Sequence, residues 1–431
     1  MITLRYMDNK YIAVRKGVVF YYFGDGCIAD YYSNSIAYID GKNLEIVRTC
    51  NGKNKLGDVL IKSAIALAET PEEIQNRIDK LIKKGVVVLR REPCDAEIVL
   101  AGMKGAYYPR EIVIELTNAC NYYCPFCYKN ANANGEFMSD SVFDQLNQTI
   151  KSNVKNILIS GGEPTLHPSY LKYIDTLAEY SDVHMITNGS ILHNHDPEVL
   201  KKLSLIQFSI YGCNDAEYQK MTGTRDGFSK LCKSVEFAKY NGINTHLAVT
   251  LCDETMDHVE LFIKTAIELE IRVLRVGFAD VFGRGKYLYK TGSKFVQKRD
   301  EKYSTILELK RQYRNRINLE IPNINIEHVE NHDDISTNVF RGSLACGCGS
   351  QYMVISCKGE IRPCQMLPEE WFSIHDQTAL KEHICGNFHI ERLCESIRKY
   401  YCDNAFAESG IEPCYALQKF WQQKKTHDES R

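Results

Sequence analysis

The sequence lacks the features that would direct a protein to a membrane or to nucleic acid. No apolar run is long enough to cross a bilayer, and the first residues, MITLRYMDNK, lack the basic and apolar regions of a secretion signal. The formal net charge is −2, whereas most nucleic-acid-binding proteins have an excess of basic residues. Internal repeats and low-complexity linkers are absent too. We therefore expect a soluble cytoplasmic protein with no nucleic acid and no membrane among its partners.

What is present is an ordinary globular composition over 431 residues, 44% hydrophobic and 25% charged. This length predicts two or three domains. The unusual feature is 17 cysteines, an odd number, without a secretion signal. Because cytosolic thiols stay reduced, clustered cysteines here indicate metal binding and not disulfides. Six scattered cysteines are interpreted as small buried hydrophobic residues: Cys27, Cys50, Cys94, Cys213, Cys232 and Cys252.

The front of the chain is predicted to form a small α+β domain. Two stretches rich in β-branched and aromatic residues, 11–23 and 35–47, predict strands broken by turns. Two helices follow, and Thr70 and Glu73 mark the start of the second as a capping box. The strand VVVL comes after it. Strands, two helices and a closing strand predict a winged-helix shape.

From Glu111 onward, strand and helix patterns alternate. Six apolar runs predict strands, at 112–117, 156–163, 183–189, 205–212, 245–251 and 273–279. Helical patterns lie between them, at 139–151, 168–180, 228–241 and 256–270. This alternation predicts an α/β fold, with parallel strands that close partly into a (β/α)6 TIM barrel. In such folds the chemistry lies at the C-terminal ends of the strands.

The loop after the first strand, TNACNYYCPFCYKNA, gathers Cys120, Cys124 and Cys127. A structural zinc site needs four protein ligands, and no fourth cysteine or histidine lies close in sequence. An iron–sulfur cube held by three thiolates leaves one iron open to a substrate or cofactor, whereas simple electron carriers use four cysteines. The pattern thus favours chemistry at an iron–sulfur cluster. A merely structural triplet is the alternative.

Unusual residues also end other strands, which supports a site at this edge. The second strand ends in GGEP (161–164), the third in TNG (187–189), and GRG (283–285) follows the sixth. The C-x3-C-x2-C spacing, with Phe126 before the last cysteine, resembles the signature of the radical S-adenosylmethionine (SAM) superfamily. The GGEP segment strengthens this resemblance. The fold it implies is the partial barrel of the radical SAM type.

The resemblance implies the cofactors and their ligands. Cys120, Cys124 and Cys127 would hold a [4Fe–4S] cluster whose open iron is chelated by SAM. The implied SAM-binding residues are Phe126, Gly161, Gly162, Glu163, Thr187, Asn188, Ser209 and Arg225. The glycines and Glu163 would meet the SAM ammonium, Thr187 and Asn188 the methionine end, Ser209 the ribose and Arg225 the carboxylate. Taken singly, turn formation or core packing explains the glycines, Asn188 and Ser209 equally well.

The reaction implied by the family begins with one-electron reduction of SAM. It yields a 5′-deoxyadenosyl radical that abstracts hydrogen from a substrate, and it needs an electron donor such as flavodoxin or ferredoxin. The sequence does not identify a catalytic acid or base. Five residues are candidates for lining the cavity: Tyr107, Tyr108, Tyr211, Asp280 and Arg284.

A second cysteine group begins with CGCGSQYMVISCKGEIRPC, between Cys346 and Cys364. Its middle predicts a β-hairpin with Lys358 and Gly359 at the turn, which would bring the flanking cysteines together. The segment resembles the SPASM or twitch auxiliary-cluster extension, although the full run C-x2-C-x5-C-x3-C is missing. The resemblance implies one auxiliary iron–sulfur cluster, and unligated thiols or zinc are the alternative. Its ligands would be Cys346, Cys364 and one or both of Cys402 and Cys414, with Cys385 and Cys394 as other candidates and Cys348 and Cys357 as bystanders.

The front domain resembles the RiPP recognition element, a module of ribosomal-peptide maturases. Such a module binds a leader peptide as an added strand, here at an edge from 11–48 against a helix at 71–84. A docking cap without a ligand is the alternative. The expected organisation is therefore a RiPP recognition element-like domain (1–92), a linker (93–110), the radical SAM barrel (111–320) and a twitch/SPASM-like auxiliary domain (321–431).

Together these resemblances imply a radical SAM peptide maturase, an oxidoreductase that modifies a precursor peptide. Thioether formation between a cysteine sulfur and a carbon atom is the first expectation. Carbon–carbon cross-linking and epimerisation are alternatives, as is an oxidase or dehydrogenase acting on a protein, as sulfatase maturases do, or on a small molecule. A non-catalytic peptide chaperone with a vestigial cluster is an alternative of another class, and it predicts that no 5′-deoxyadenosine forms from SAM.

Overall fold

The computed structural model describes two compact units, one made mainly of residues up to 104 and one of residues from 111 onward. The described residues are 9–23, 25–30, 36–102, 104, 111–151, 154–279, 282–289, 295–321, 352–362, 364–365 and 372–373. Within these ranges, every helix is too short or too polar to cross a membrane.

The first unit is an α+β domain with two small sheets whose strand pairs are antiparallel, except for one parallel pair. Its strands are β1 (Tyr11–Val14), β2 (Val19–Phe23), β3 (Gly26–Asp30), β4 (Ile36–Ile39), β5 (Asn51–Lys55), β6 (Val87–Arg90) and β7 (Val99–Ala101). Its helices are α1 (Gly41–Val47), α2 (Leu56–Leu67) and α3 (Pro71–Lys83). The strand orders are β5-β1-β6 and β4-β3-β2-β7. The small α+β domain predicted from the sequence is therefore present.

Helix α3 is specified by residues that are close together in the sequence. The Thr70 hydroxyl accepts a hydrogen bond from the Glu73 N–H at 3.3 Å, and Glu73 Oε2 accepts one from the Thr70 N–H at 2.7 Å. This is the predicted capping box. Ile74 and Ile78 face the core and are fully buried, and each contributes roughly 1.5–3 kcal/mol of burial free energy.

Two details of this unit differ from the predictions. Residues 41–47, predicted as a strand, form helix α1, because Asp40 caps it and its carboxylate accepts a hydrogen bond from the Asn43 N–H at 2.8 Å. The predicted linker contains strand β7, which pairs in parallel with β2. In both cases a side-chain cap or a tertiary pairing outweighs the local pattern.

The second unit is built on a ten-stranded sheet in the order β14-β13-β12-β11-β10-β9-β8-β15-β16-β17. Its strands are β8 (Glu111–Glu115), β9 (Asn156–Ser160), β10 (Asp182–Thr187), β11 (Leu205–Ile210), β12 (Thr245–Leu251), β13 (Val273–Phe278), β14 (Asn318–Glu320), β15 (Tyr352–Ile355), β16 (Glu360–Arg362) and β17 (Phe372–Ser373). Its helices are α4 (Asp140–Ile150), α5 (Tyr170–Leu177), α6 (Pro197–Leu200), α7 (Asp215–Thr222), α8 (Gly227–Tyr240), α9 (Val259–Glu268) and α10 (Phe295–Tyr313).

The six predicted strands are β8 to β13, and they run parallel in sequence order, as predicted. The sheet also gains β14 at one edge. At the other edge, the predicted hairpin of β15 and β16 joins β8, with β15 parallel to it. The α/β fold with a mostly parallel sheet is confirmed, and the hairpin is an extension of the same sheet.

The two faces of the parallel strands differ in character. In β11, Ile206, Phe208 and Ile210 are fully buried, whereas the alternate side chains are half-buried. The half-buried set includes Gln207 and Ser209. Because successive side chains of a strand point to opposite faces, one face is closed and apolar and the other is polar and partly open. The open face and the C-terminal strand ends are where a ligand can be bound.

Candidate functional site

The cysteine loop, residues 116–138, leaves strand β8 and returns to the start of α4. Its two arms are joined by main-chain hydrogen bonds, from the Asn118 N–H to the Glu136 carbonyl at 3.0 Å and from the Met138 N–H to the Leu116 carbonyl at 2.8 Å. Near the tip, the Cys120 N–H donates to the Asn132 carbonyl at 2.8 Å. The backbone therefore fixes the loop that carries the three cysteines.

The three thiols of this loop are partly shielded from water. Cys124 is buried, whereas Cys120 and Cys127 are half-buried, and none is in a disulfide. Burial raises the pKa of Cys120 to about 12, and the pKa of Cys124 is raised for the same reason. Among the described residues, no three histidine, cysteine or acidic side chains are arranged around a single metal ion. Three sulfur donors from one partly shielded loop fit an iron–sulfur cluster, which binds through thiolates.

Gly161 and Gly162 bring the end of β9 against this loop. The Gly162 N–H donates to the Thr117 carbonyl at 2.7 Å, and the Glu163 N–H donates to the Ala119 carbonyl at 2.8 Å. Gly161 has φ of +137°, and a Cβ at Gly162 would lie 2.1 Å from the Ala119 carbonyl oxygen. A larger residue at either position would push the two loops apart. The glycine pair thus assembles the edge at which SAM binding is predicted.

Glu163 ties together the ends of β9 and β10. Its buried carboxylate accepts hydrogen bonds from the Thr187 hydroxyl at 2.7 Å and from the Asn188 N–H at 2.7 Å. The Thr165 hydroxyl also donates to it, at 2.6 Å. Burial raises the pKa of Glu163, whereas these donors oppose the rise. Among the described residues, the Asn188 N–H is the only donor to Oε2. A carboxylate oxygen accepts about two hydrogen bonds, so Oε2 can accept one more from an ammonium group.

Asn188 connects β10 to the cysteine loop through a closed set of side chains. Its amide donates to Asn121 Oδ1 at 2.8 Å, and the Asn121 amide donates to the Ser190 hydroxyl at 2.8 Å. The Ser190 N–H returns to Asn188 Oδ1 at 2.9 Å. The sequence reasoning did not identify Asn121 or Ser190. The available signal was an amide residue directly after Cys120.

Aromatic rings connect the cysteine loop to the open face of β11. Phe126 stacks on Tyr211 at 6.1 Å between ring centroids, with 27° between the planes. Tyr211 lies edge-on to Tyr122 at 5.9 Å and to Tyr218 at 5.7 Å. Ser209, whose carbonyl accepts a bond from the Tyr218 hydroxyl at 3.4 Å, is half-buried just before Tyr211. Phe126 and Ser209 are therefore joined through one aromatic cluster.

Arg225 is the predicted site residue that these contacts do not include. It lies on the turn between α7 and α8, where its side chain is exposed and bonds to no other described residue. The turn itself adjoins the cysteine loop, because the Tyr123 N–H donates to the Thr222 carbonyl at 3.0 Å. The carboxylate-binding role of Arg225 stays a prediction, as do the SAM-binding roles of the other residues.

Arg284, which comes after strand β13, holds the cysteine loop through hydrogen bonds to its main chain. Its guanidinium donates to the Cys124 carbonyl at 2.7 Å and to the Ala131 carbonyl at 2.8 Å, while its main-chain N–H donates to the Cys127 carbonyl at 2.9 Å. Arg284 is 6% exposed, and its guanidinium carbon lies 3.9 Å from the centre of the Tyr123 ring. Its charge also favours the thiolate of Cys124.

The sequence named Arg284 only as a candidate cavity-lining residue, whereas in the structure it supports the loop backbone. Gly283 permits this contact, because it has φ of +57° and a Cβ there would lie 2.2 Å from the Tyr128 carbonyl oxygen. No local pattern shows which loop a buried arginine will contact. The other cavity candidates, Tyr107, Tyr108 and Asp280, lie outside the described residues, and Tyr211 is in the aromatic cluster.

The auxiliary-cluster prediction concerns residues of which only a few are described. The hairpin is present, with Gly359 at its turn and φ of +82°. Cys364 follows β16 and is half-buried. Cys357 is buried and its sulfur accepts a hydrogen bond from the Asn118 amide at 3.5 Å. The other cysteines of this group lie outside the described residues: Cys346, Cys348, Cys385, Cys394, Cys402 and Cys414.

Comparison with known proteins shows a family match and two similar proteins of related name. Residues 114–266 match the family model of the radical SAM superfamily. The chain is 22% identical over 361 residues to the antilisterial bacteriocin subtilosin biosynthesis protein AlbA of Bacillus subtilis (strain 168), covering 79% of this chain and 76% of AlbA. It is 20% identical over 337 residues to the sporulation killing factor maturation protein SkfB of the same strain, covering 77% and 76%.

The fold is similar to the crystal structure of SuiB from Streptococcus suis. The TM-score is 0.59 at 15% identity, with 86% of this chain and 88% of that chain covered. SuiB has also been crystallised with S-adenosylmethionine and with its precursor peptide SuiA. The family match identifies residues 114–266 as a radical SAM domain.

Proposed function

We propose that this protein is a radical SAM enzyme that modifies a ribosomally made precursor peptide by forming a thioether cross-link. The observation that carries the proposal is the bonded assembly of the cysteine loop with Gly162, Glu163 and Asn188. The similarity to AlbA, SkfB and SuiB supports a peptide as the substrate, because AlbA is named for bacteriocin biosynthesis, SkfB is named for maturation of a killing factor, and SuiB was crystallised with a precursor peptide.

Residues of this chain would hold each part of the cofactor pair. Cys120, Cys124 and Cys127 would bind a [4Fe–4S] cluster. Glu163, with its remaining acceptor capacity at Oε2, would bind the ammonium group of SAM, and Phe126 and Ser209 would contact the nucleoside. When both are bound, reduction of SAM supplies the radical that abstracts hydrogen from the substrate. The cation of Arg284 stabilises the charged loop, and the aromatic cluster around Tyr211 excludes water.

The front domain would bind the leader peptide. Among the described residues, β4 pairs only with β3 and so presents an edge at which a strand can be added. Helix α3 borders this edge, because the Lys84 ammonium lies 3.3 Å from the Tyr38 carbonyl oxygen. This arrangement supports a RiPP recognition element within residues 1–92.

The C-terminal region would hold one auxiliary iron–sulfur cluster on Cys346, Cys364 and one or both of Cys402 and Cys414. The hairpin that ends just before Cys364 supports this role. A second iron–sulfur site would accept the second electron after hydrogen abstraction or bind the substrate thiolate. That chemistry would make the enzyme an oxidoreductase, supplied with electrons by a flavodoxin or ferredoxin.

The test combines the anaerobically reconstituted protein with SAM, dithionite and the short peptide encoded next to its gene. The proposal predicts formation of 5′-deoxyadenosine and a peptide lighter by two hydrogen atoms. A thioether also removes one cysteine from alkylation by iodoacetamide, whereas a carbon–carbon link leaves all thiols reactive. An unchanged peptide mass in H2O, together with uptake of one deuterium when the reaction is run in D2O, would indicate epimerisation instead. Absence of 5′-deoxyadenosine with a fully loaded cluster would overturn the proposal.

A further inference from the structure

A polar cavity of about 500 Å³ opens between the returning arm of the cysteine loop and the hairpin. Its walls include Glu115, Asn118, Lys129, Asn134, Lys358 and Arg362. A volume of this size is in the range of small-molecule and peptide subsites. All of these residues belong to the second unit.

The cavity belongs to the open face of the sheet. Glu115 is the last residue of β8, two positions after Val113, which is aligned across the sheet with Leu158, His184 and Leu205. Ser209 comes four positions after Leu205 on β11. Paired residues in a parallel sheet point to the same face. Glu115 therefore lies on the face that carries Ser209, and Lys129 comes two residues after Cys127. A ligand in the cavity would lie on the same side of the sheet as the predicted SAM site.

In the described part of the chain, the ion pairs of the Glu115 carboxylate involve one of its two oxygens. Oε2 is 2.5 Å from the Lys129 ammonium and also accepts from Arg362 Nη2. Glu115 is 0% exposed, yet its second oxygen, Oε1, bonds to no described residue. A buried carboxylate oxygen without a donor is costly, so this atom requires a donor from a ligand or from water.

We propose that this cavity binds a main-chain amide of the substrate peptide, an inference that rests on the proposed function. A peptide amide has one N–H donor and one carbonyl acceptor. Its N–H would donate to Glu115 Oε1. Its carbonyl would accept from the Lys129 ammonium, which has three donors and spends one on Glu115. The side-chain amides of Asn118 and Asn134 in the cavity walls each have N–H donors and a carbonyl acceptor, which match the groups of a peptide amide. The site would hold the peptide beside the cluster loop without taking part in bond formation.

The binding test uses a probe that does not depend on the identity of the precursor. Acetyl-Gly-Gly-N-methylamide is titrated into the anaerobic holoenzyme and followed by ligand-observed NMR. Its fully N-methylated counterpart has the same carbonyls and no N–H donor. Saturable binding of the first, with the second at least about tenfold weaker, is the expected result. Equal binding of the two probes, or no saturable binding because water alone fills the cavity, would overturn the proposal.

Three variants locate the binding. Glu115→Gln keeps the shape of the side chain but presents an amide where the acceptor was, and should weaken the first probe about tenfold. Asn134→Trp leaves the Glu115 ion pairs intact and should block the exposed rim to a similar extent. Glu320→Gln is the matched control. Glu320 lies on β14 and forms an ion pair with Arg275 at 3.0 Å, so this variant should bind the probe like the wild type. If Glu115→Gln lowers the iron content, the proposal is judged from Asn134→Trp alone. Unchanged binding of the probe to Asn134→Trp would then refute the site.

The same variants separate this inference from the proposed function. If the wild type modifies the precursor and both cavity variants do so with unchanged KM, the function stands and the cavity is not a peptide site. A tenfold higher KM at wild-type yield of 5′-deoxyadenosine without peptide supports the site. If no precursor is modified, the probe titrations still decide the cavity while the function itself fails.

Discussion

The first unit and the radical SAM domain are stabilised in different ways. The first unit has an apolar core of fully buried aliphatic side chains, such as Ile12, Val59 and Ile78, and its helix caps join residues three apart. The site of the second unit is held by polar contacts between residues far apart in sequence. Glu163 and Asn188 are 25 positions apart, and Arg284 and Cys124 are 160 apart.

This difference predicts where damage will appear. An apolar core loses free energy of unfolding when a side chain is shortened, and its neighbours partly relax. A buried polar network loses its geometry when one member is replaced, because the remaining donors and acceptors are left unsatisfied. Substitutions in the first unit should therefore change stability, and substitutions in the site should change cofactor content and catalysis.

The largest effect is expected from Cys124→Ala. Removal of one of three thiolate ligands should abolish the cluster, so that iron content and 5′-deoxyadenosine formation fall to background. The matched control is Cys50→Ala in the first unit, where the buried thiol donates to the Ile46 carbonyl at 3.3 Å. This control should keep its full iron content and lose about 1 kcal/mol of stability. Comparable iron in both variants would contradict the assignment of the cluster.

The next effect is expected from Arg284→Gln. The shorter neutral side chain cannot reach both the Cys124 and Ala131 carbonyls, so iron content and 5′-deoxyadenosine should fall about tenfold or more. Arg284→Lys should recover part of both, because it restores the charge but not the fork of donors. The electron paramagnetic resonance signal of the reduced cluster should also shift in any Arg284→Gln protein that retains iron.

Arg275→Gln is the control for this pair of variants. Arg275 is a partly exposed arginine on β13 whose guanidinium bonds to Glu320 at 3.0 Å. Its replacement should leave both the signal and the iron content unchanged. A loss of iron equal to that of Arg284→Gln would mean that any arginine of this sheet is needed for folding.

A smaller effect, on stability alone, is expected from Ile78→Ala. Ile78 is fully buried in α3, and the cavity left behind should cost about 2–5 kcal/mol, measured by urea denaturation. The cluster should load as in the wild type. Ile65→Ala on the neighbouring helix α2 is the control, because Ile65 is 78% exposed and its loss should change stability by less than about 0.5 kcal/mol. Loss of iron in Ile78→Ala would show that the two kinds of stabilisation are not separable.

The smallest effect is expected from Glu69→Gln. Hydrogen bonds from Arg77 and Lys42 lower the pKa of Glu69 from 4.5 to about 2. A carboxylate with a lowered pKa stabilises the fold above about pH 4.5, and this contribution disappears as the pH falls towards 2. The variant should therefore lose about 1 kcal/mol at neutral pH and show a flatter decline in acid. Parallel acid-denaturation curves for the two proteins would count against the pairing.

The sequence predicted those elements whose signals are local. The capping box at Thr70 and the hairpin turn at Gly359 depend on residues within a few positions of each other, and both are present. The six parallel strands were recognised from apolar runs of the right length. Residues 41–47 were predicted wrongly, because they are apolar enough for a strand and only the Asp40 cap selects the helix.

Contacts across the barrel could not be predicted in this way. Nothing near Glu115 in sequence indicates that Arg362, 247 positions later, will reach its carboxylate. The pairing of β15 with β8 brings these residues together, and it depends on which edge of the sheet the hairpin joins. The same holds for Asn121, whose partners Asn188 and Ser190 both lie just beyond the end of β10.

The sequence by itself determined the spacing of the three thiols, the glycines of the GGEP segment and the order of strands that places them at one edge. These features follow from neighbours along the chain and from the geometry of parallel strands. Only the tertiary structure decided that Arg284 supports the cysteine loop and that Glu115 faces a cavity with one oxygen that bonds to no described residue. Both depend on packing between segments that the chain brings together only when the sheet is complete.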